Sequence, residues 1–330
     1  RRSVYRFTIA DVAQTLIIMG LSFSTGLLFG TARLFDMLAP FAMVICVIAF
    51  FFKDLRMKLP TVMGALVGSF ASSGSAHTIA IVMALTTYLV FSKKLISKFK
   101  IDPQDQGSSW PLAVLVATCL FISITITNFI WGQGVDFVTL GAAEALVAGG
   151  ICVVVLPTAL TTVKKKGISQ NPDITEVVAI LVVACVICCG LQFFNLNGLT
   201  FGTIFAFFAT GYIGYVAGAA AGSVGGAAMG LMLSMSGSSQ TLIGAYLCIM
   251  GLFCGAFRKF NKVYAAMAVL MLGTVSSFDI FNTVSLPVGF GQALIASLAF
   301  FLTPAPSKVN IASNVVGVLC DNVPSYVHDD

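Results

Sequence analysis

From Val177 to Phe257 the chain carries not one Asp, Glu, Lys or Arg. A stretch of that length cannot present a solvated face, so it folds only where its surroundings are themselves apolar. The bias extends over the whole chain, which is 58% hydrophobic and 9% charged, against about 25% charged residues in soluble domains. The solvent is therefore lipid. In lipid every backbone polar group must be satisfied within the protein, which points to helices. The expected fold class is all-α, a polytopic transmembrane helix bundle. The net charge of +5 does not suggest nucleic acid, because the basic residues sit in short clusters between apolar runs, as membrane topology requires.

A spanning helix needs about 20 apolar residues. Uncharged runs place spans at about 12–30, 34–52, 59–73, 77–92, 110–131 and 137–160, then at 174–191, 199–217, 220–235, 240–257, 263–278 and 284–302. Gly, Ser and Asn mark breaks at Ser72-Ser73-Gly74-Ser75, Asn195-Leu196-Asn197-Gly198, Gly218 to Ser223 and Ser236-Gly237-Ser238-Ser239. Trp110 and Trp131 flank one span where interfacial anchors belong. The total is about ten to twelve spans. With twelve, and with Arg1, Arg2 and Arg6 inside, 17 of the 18 basic residues fall on the cytoplasmic side and only Arg33 falls outside. Merging the helices around Gly222 would move Arg258, Lys259 and Lys262 outside. Both termini are thus expected in the cytoplasm, in a multi-pass membrane protein.

The two halves resemble each other. Gly64 to Gly68, Ser72 to Ser75 and Thr78 align with Gly226 to Gly230, Ser236 to Ser239 and Thr241, 162 to 164 residues later (226 − 64 = 162; 236 − 72 = 164). Glu144-Ala145-Leu146 aligns with Gln292-Ala293-Leu294. Two parallel six-helix repeats are expected, residues 1–167 and 168–305, followed by a cytoplasmic tail, 306–330. The chain begins at Arg1 rather than Met and ends soon after its last apolar run, so a fragment or an excised region of a longer protein is expected. The first apolar run lacks a small-residue cleavage site and reads as a span.

Glu144 is the leading intramembrane polar candidate, since a carboxylate within a span is costly unless paired or protonated. Gln292, at similar depth in its own span, is the expected partner, ahead of Gln14. Either a structural hydrogen bond or a proton or ion pathway would explain Glu144. His77, beside the first Ser/Gly turn, reads as a satisfied turn residue. Gly64, Gly68, Gly211, Gly214, Gly218, Gly222, Gly226 and Gly230 fall at the four-residue spacing that lets helices approach closely. They read as helix-packing glycines, with a self-association face as the functional alternative. The Ser/Gly breaks lack the Lys of a phosphate loop and read as extracytoplasmic turns. Cys185, Cys188 and Cys189 lack an accompanying His or carboxylate and read as buried small hydrophobes. No catalytic, cofactor-binding or metal-binding residue is assigned.

Several short segments occur in an order that resembles the N-terminal membrane region of stage II sporulation protein E. These are Leu38-Ala39-Pro40-Phe41-Ala42 after the first span, Glu144-Ala145-Leu146 with its basic exit Leu160 to Lys165, Ile174-Thr175-Glu176-Val177-Val178 at the seventh span, and Phe301-Leu302-Thr303-Pro304 followed by Ser307-Lys308-Val309. The resemblance covers roughly 10–305. It implies a sporulation protein of an endospore-forming bacterium. In that family the membrane region leads to a segment binding the bacterial tubulin-like division protein, then to a manganese-dependent serine phosphatase. That enzyme acts on an anti-anti-sigma factor and releases the first forespore sigma factor. The membrane region would anchor the phosphatase at the polar septum, near septal proteins, and support self-association. Manganese is expected only in the phosphatase domain, which is absent here, so no catalytic residue carries over and this segment is expected not to be an enzyme. The chain departs from the family in its number of spans and in Gln292, where an acidic residue is usual. The rival reading is a small-molecule transporter or vitamin-uptake membrane subunit, because parallel six-helix repeats with Gly-rich helices are a transporter feature.

Overall fold

The computed structural model describes residues 9–52, 54–99, 106–132, 136–165, 174–237, 242–276 and 286–303. The chain is all-α. Its helices are α1 (Ile9–Thr31), α2 (Phe41–Phe50), α3 (Leu55–Phe99), α4 (Gln106–Ile130), α5 (Asp136–Lys165), α6 (Ile174–Gln192), α7 (Phe201–Ala217), α8 (Ala219–Met235), α9 (Ile243–Ala256), α10 (Lys262–Val275) and α11 (Leu286–Leu302). One short hairpin, β1 (Asn195–Leu196) and β2 (Leu199–Thr200), precedes α7. Of these helices, α1, α3, α4, α5 and α6 contain segments long and apolar enough to cross a membrane. The chain divides into two compact units. One comprises Arg1–Gly167 with Cys189–Phe193, the other Ile168–Cys188 with Phe194–Asp330.

In the first unit, α1 lies against the opening arm of α3 (55–73), and glycines set their separation. A Cβ on Gly68 would fall 2.5 Å from the Leu27 carbonyl oxygen and 2.9 Å from the Gly30 Cα. Gly26 faces Thr61, and Gly64 faces Phe23 and Leu27. Residue numbers rise together on both helices, so the pair is parallel. At one end the Arg56 guanidinium donates to the Thr15 hydroxyl (3.1 Å), and at the other the Ser72 hydroxyl donates to the Gly30 carbonyl (3.0 Å). A parallel pair requires the chain to return between its members, and α2 makes that return.

The expected span 34–52 is shorter than anticipated. Only Phe41–Phe50 is helical, about 15 Å at 1.5 Å per residue. Residues 34–38 instead form a tight turn, with Leu34 N–H donating to the Leu38 carbonyl (2.7 Å), Leu38 N–H donating to the Leu34 carbonyl (2.9 Å), and Phe35 and Asp36 at positive φ. Pro40 then opens the helix, where its missing N–H costs nothing. Every residue from Phe41 to Ala49 is buried. An all-round apolar helix of this length works because neighbouring helices, not lipid, surround it.

The 45 residues of α3 would measure about 67 Å if straight, more than twice a bilayer core. The helix instead reverses at Gly74, whose φ of 85° and ψ of −178° are not helical. The Ser69 hydroxyl lies 3.4 Å from both the His77 ring and the Thr78 hydroxyl. Short side chains eight and nine residues apart cannot meet along a straight helix, so the second arm (75–99) folds back on the first. The expected Ser72–Ser75 break is therefore a one-residue reversal rather than a loop. Helix α3 packs on α4, and α4 on α5, where Gly149 sits over Ala113 and Ala117.

In the second unit α7, α8 and α9 run alternately up and down. Gly218, at φ 100°, joins α7 directly to α8. A Cβ on Gly222 would lie 2.5 Å from both the Gly214 Cα and the Gly251 carbonyl oxygen. Gly226 faces Leu247 and Thr210, and Gly230 faces Gly244. Around this contact lies a core that includes Phe207, Met229, Leu233, Leu247, Cys254 and Val269. Helix α10 packs on α11, α9 and α7. The Lys262 ammonium donates to the Phe301 carbonyl (3.0 Å) and the Thr303 carbonyl, capping the end of α11.

Candidate functional site

An ionisable side chain inside an apolar bundle must find a partner. The Glu144 carboxyl, 3% exposed on α5, lies 2.7 Å from Nε2 of His77 on the second arm of α3. One proton lies between these atoms, and the pair joins segments 67 residues apart in the chain. The reversal at Gly74 brings His77 there. It also puts the Ser69 and Thr78 hydroxyls against the His77 side, at 3.4 Å from one another, while Thr78 donates to the Gly74 carbonyl at 2.8 Å. The site is thus built from both arms of α3 and from α5.

Ser69, His77 and Glu144 follow the order of an acyl-transfer relay, but the geometry is that of a clamp. At 3.4 Å the Ser69–His77 contact is beyond a good O–H···N bond. Ser69 is completely buried, so a substrate carbonyl has no path to its oxygen. What the arrangement does well is hold the folded-back arm of α3 onto α5 through a short, part-buried hydrogen bond.

Gln292 has other partners. Its amide donates to the Gly198 carbonyl (3.3 Å) and the Thr200 hydroxyl (3.2 Å), tying α11 to the β1–β2 hairpin. Asn197 and Gly198, both at positive φ, form the tight Asn-Gly turn of that hairpin. The expected Glu144–Gln292 pairing is therefore corrected: His77 satisfies Glu144, and the hairpin satisfies Gln292. Gln14 is exposed on α1. His77, expected to be an ordinary turn residue, is the member of the site that sequence reasoning missed. Its position two residues after the Ser/Gly break was the only signal.

The glycines Gly64 and Gly68 face α1, and Gly214, Gly222, Gly226 and Gly230 face helices of the second unit. They are occupied by neighbouring helices of the same chain. Gly218 serves the α7–α8 turn. At the α1–α2 turn, burial holds the Arg33 guanidinium below its ordinary pKa, and the Asp36 carboxylate opposes that shift. The basic cluster at Arg1 to Arg6, Lys166, Ser238 and Ser239 of the second Ser/Gly break, and the tail 306–330 lie outside the described residues, and Lys164 and Lys165 form the helical end of α5.

Long apolar helices, glycine-mediated packing and a buried polar pair define a polytopic α-helical protein of membrane type. The chain belongs to the SpoIIE N-terminal domain family, whose family model matches residues 5–312. No curated protein and no solved structure matches it.

Proposed function

We propose that this chain is the membrane-anchoring, localising and self-associating region of a sporulation serine phosphatase that activates the first forespore sigma factor at the polar septum. The observation supporting this reading is the family match across residues 5–312, over helices built for lipid. On this reading the chain has no chemistry of its own. It holds a cytoplasmic phosphatase, with its manganese, near the tubulin-like division protein and other septal partners. The two six-helix repeats, residues 1–167 and 168–305, with both ends in the cytoplasm, belong to the same proposal. A fluorescent protein fused after Asp330 tests it in sporulating cells. The fusion is expected to concentrate at the polar septum, and an even distribution around the cell membrane would contradict the reading.

A second reading, a small-molecule transporter or vitamin-uptake subunit, draws on the buried His77–Glu144 pair, since ionisable residues inside membranes often mark transport paths. A solute that raises the melting temperature of the purified chain, and loses that effect in Glu144→Gln, would favour it.

A further inference from the structure

Below the His77–Glu144 pair, the buried face of α3 continues through Ala80, Ile81 and Ala84 to Tyr88 and Ser92, all 0–1% exposed. The Tyr88 hydroxyl and the Ser92 hydroxyl are buried with no hydrogen-bond partner among the described residues. The two cases differ physically. A helical serine can rotate to its own i−4 carbonyl, so Ser92 has a local remedy. The Tyr88 hydroxyl stands at the far end of its ring and cannot reach its own backbone. A buried hydroxyl without a partner is rare in folded proteins and is normally met by an ordered water.

The surroundings of the Tyr88 phenol fit such a guest. It lies within electrostatic reach of the thiols of Cys119 on α4 and Cys152 on α5. These thiols are themselves 4% and 0% exposed. Three helices thus each contribute, near the phenol, a group able to donate and accept a hydrogen bond. Thiols are weak partners, so they leave the phenol unsatisfied while tolerating a small polar molecule between them. Along α5, Cys152 lies about 12 Å (8 residues at 1.5 Å) beyond Glu144. Ile81 and Ala84 fill the interval on α3, so the polar groups do not form a continuous file.

We propose that Tyr88, Cys119 and Cys152 enclose a binding site for one water molecule at the α3–α4–α5 contact. This site is separate from the His77–Glu144 pair and independent of the anchoring reading. X-ray-generated hydroxyl radicals test it on the full chain in nanodiscs, because radicals form at bound waters and modify the side chains touching them. Tyr88 should be modified at least tenfold faster than Phe41 and Phe207, which are equally buried in apolar surroundings. Tyr88→Phe removes the main hydrogen-bonding group, and oxidation of Cys152 should fall at least fivefold. Modification of Tyr88 no faster than that of Phe41 would overturn the proposal. So would a Cys152 oxidation rate unchanged by Tyr88→Phe.

Discussion

At the scale of single residues, the fold depends on a few side chains whose partners lie far away in sequence. Glu144 and His77 are the clearest case. Removing His77 strands the buried Glu144 carboxyl, at up to about 3–5 kcal/mol. We therefore expect His77→Ala to lower the melting temperature of the purified chain sharply. Glu144→Gln, which keeps a polar group facing the ring, should cost less. The double variant His77→Ala/Glu144→Ala should be more stable than the sum of the single effects predicts, and simple additivity would show that the pair is not coupled. Gly74 makes a different demand. Its φ and ψ lie in a region open essentially to glycine alone, yet an added Cβ would meet no atom of the described residues within 4 Å. Gly74→Ala should therefore cost about 1–3 kcal/mol through the backbone rather than through collision. Gly150→Ala, also with open space but at ordinary helical geometry, should be close to neutral in the same melting assay.

Among the helices, packing follows the placement of small residues. At Gly226 a Cβ would lie 2.6 Å from the Leu247 carbonyl carbon and 2.8 Å from the Thr210 side chain, so larger groups must push α7 and α9 away from α8. Gly226→Leu is expected to destabilise the second unit by roughly the 1–3 kcal/mol of overpacking, or more, because backbone rather than a flexible side chain is met. Gly150→Leu should leave the melting temperature unchanged. Much at this scale was legible in advance, because glycines at four-residue spacing and polar breaks are local signals. The reversals at Gly74 and Gly218 fall at two of the breaks read from sequence. Other features were hidden. The shortness of α2 depends on the turn at 34–38 and on burial by helices that follow it in the chain. The His77–Glu144 pair depends on a chain reversal that a depth argument could not supply, so Gln292 looked the better partner. The true partner of Gln292, the hairpin at 195–200, is set by an Asn-Gly turn that in sequence marks only a break between helices.

At the scale of the molecule, the account rests on the direction in which each helix crosses. On the proposed topology, the parallel pairing of α1 with the first arm of α3 makes α2 a crossing, though its helix is only 10 residues long. The reversal at Gly74 then adds another. Without the first of these, every later segment would change sides, and the positive-inside pattern would place Lys93, Lys94, Arg258 and Lys259 on the wrong face. The proposed anchor needs the same parity, because a cytoplasmic phosphatase must follow a chain that ends where it began. The most direct measurement is a pair of reporter fusions in a bacterial host. The account predicts that alkaline phosphatase fused after Gly132 is active, and that a green fluorescent protein fused after Thr303 is bright. Active alkaline phosphatase after Thr303 would put the end of α11 outside the cell and contradict the account.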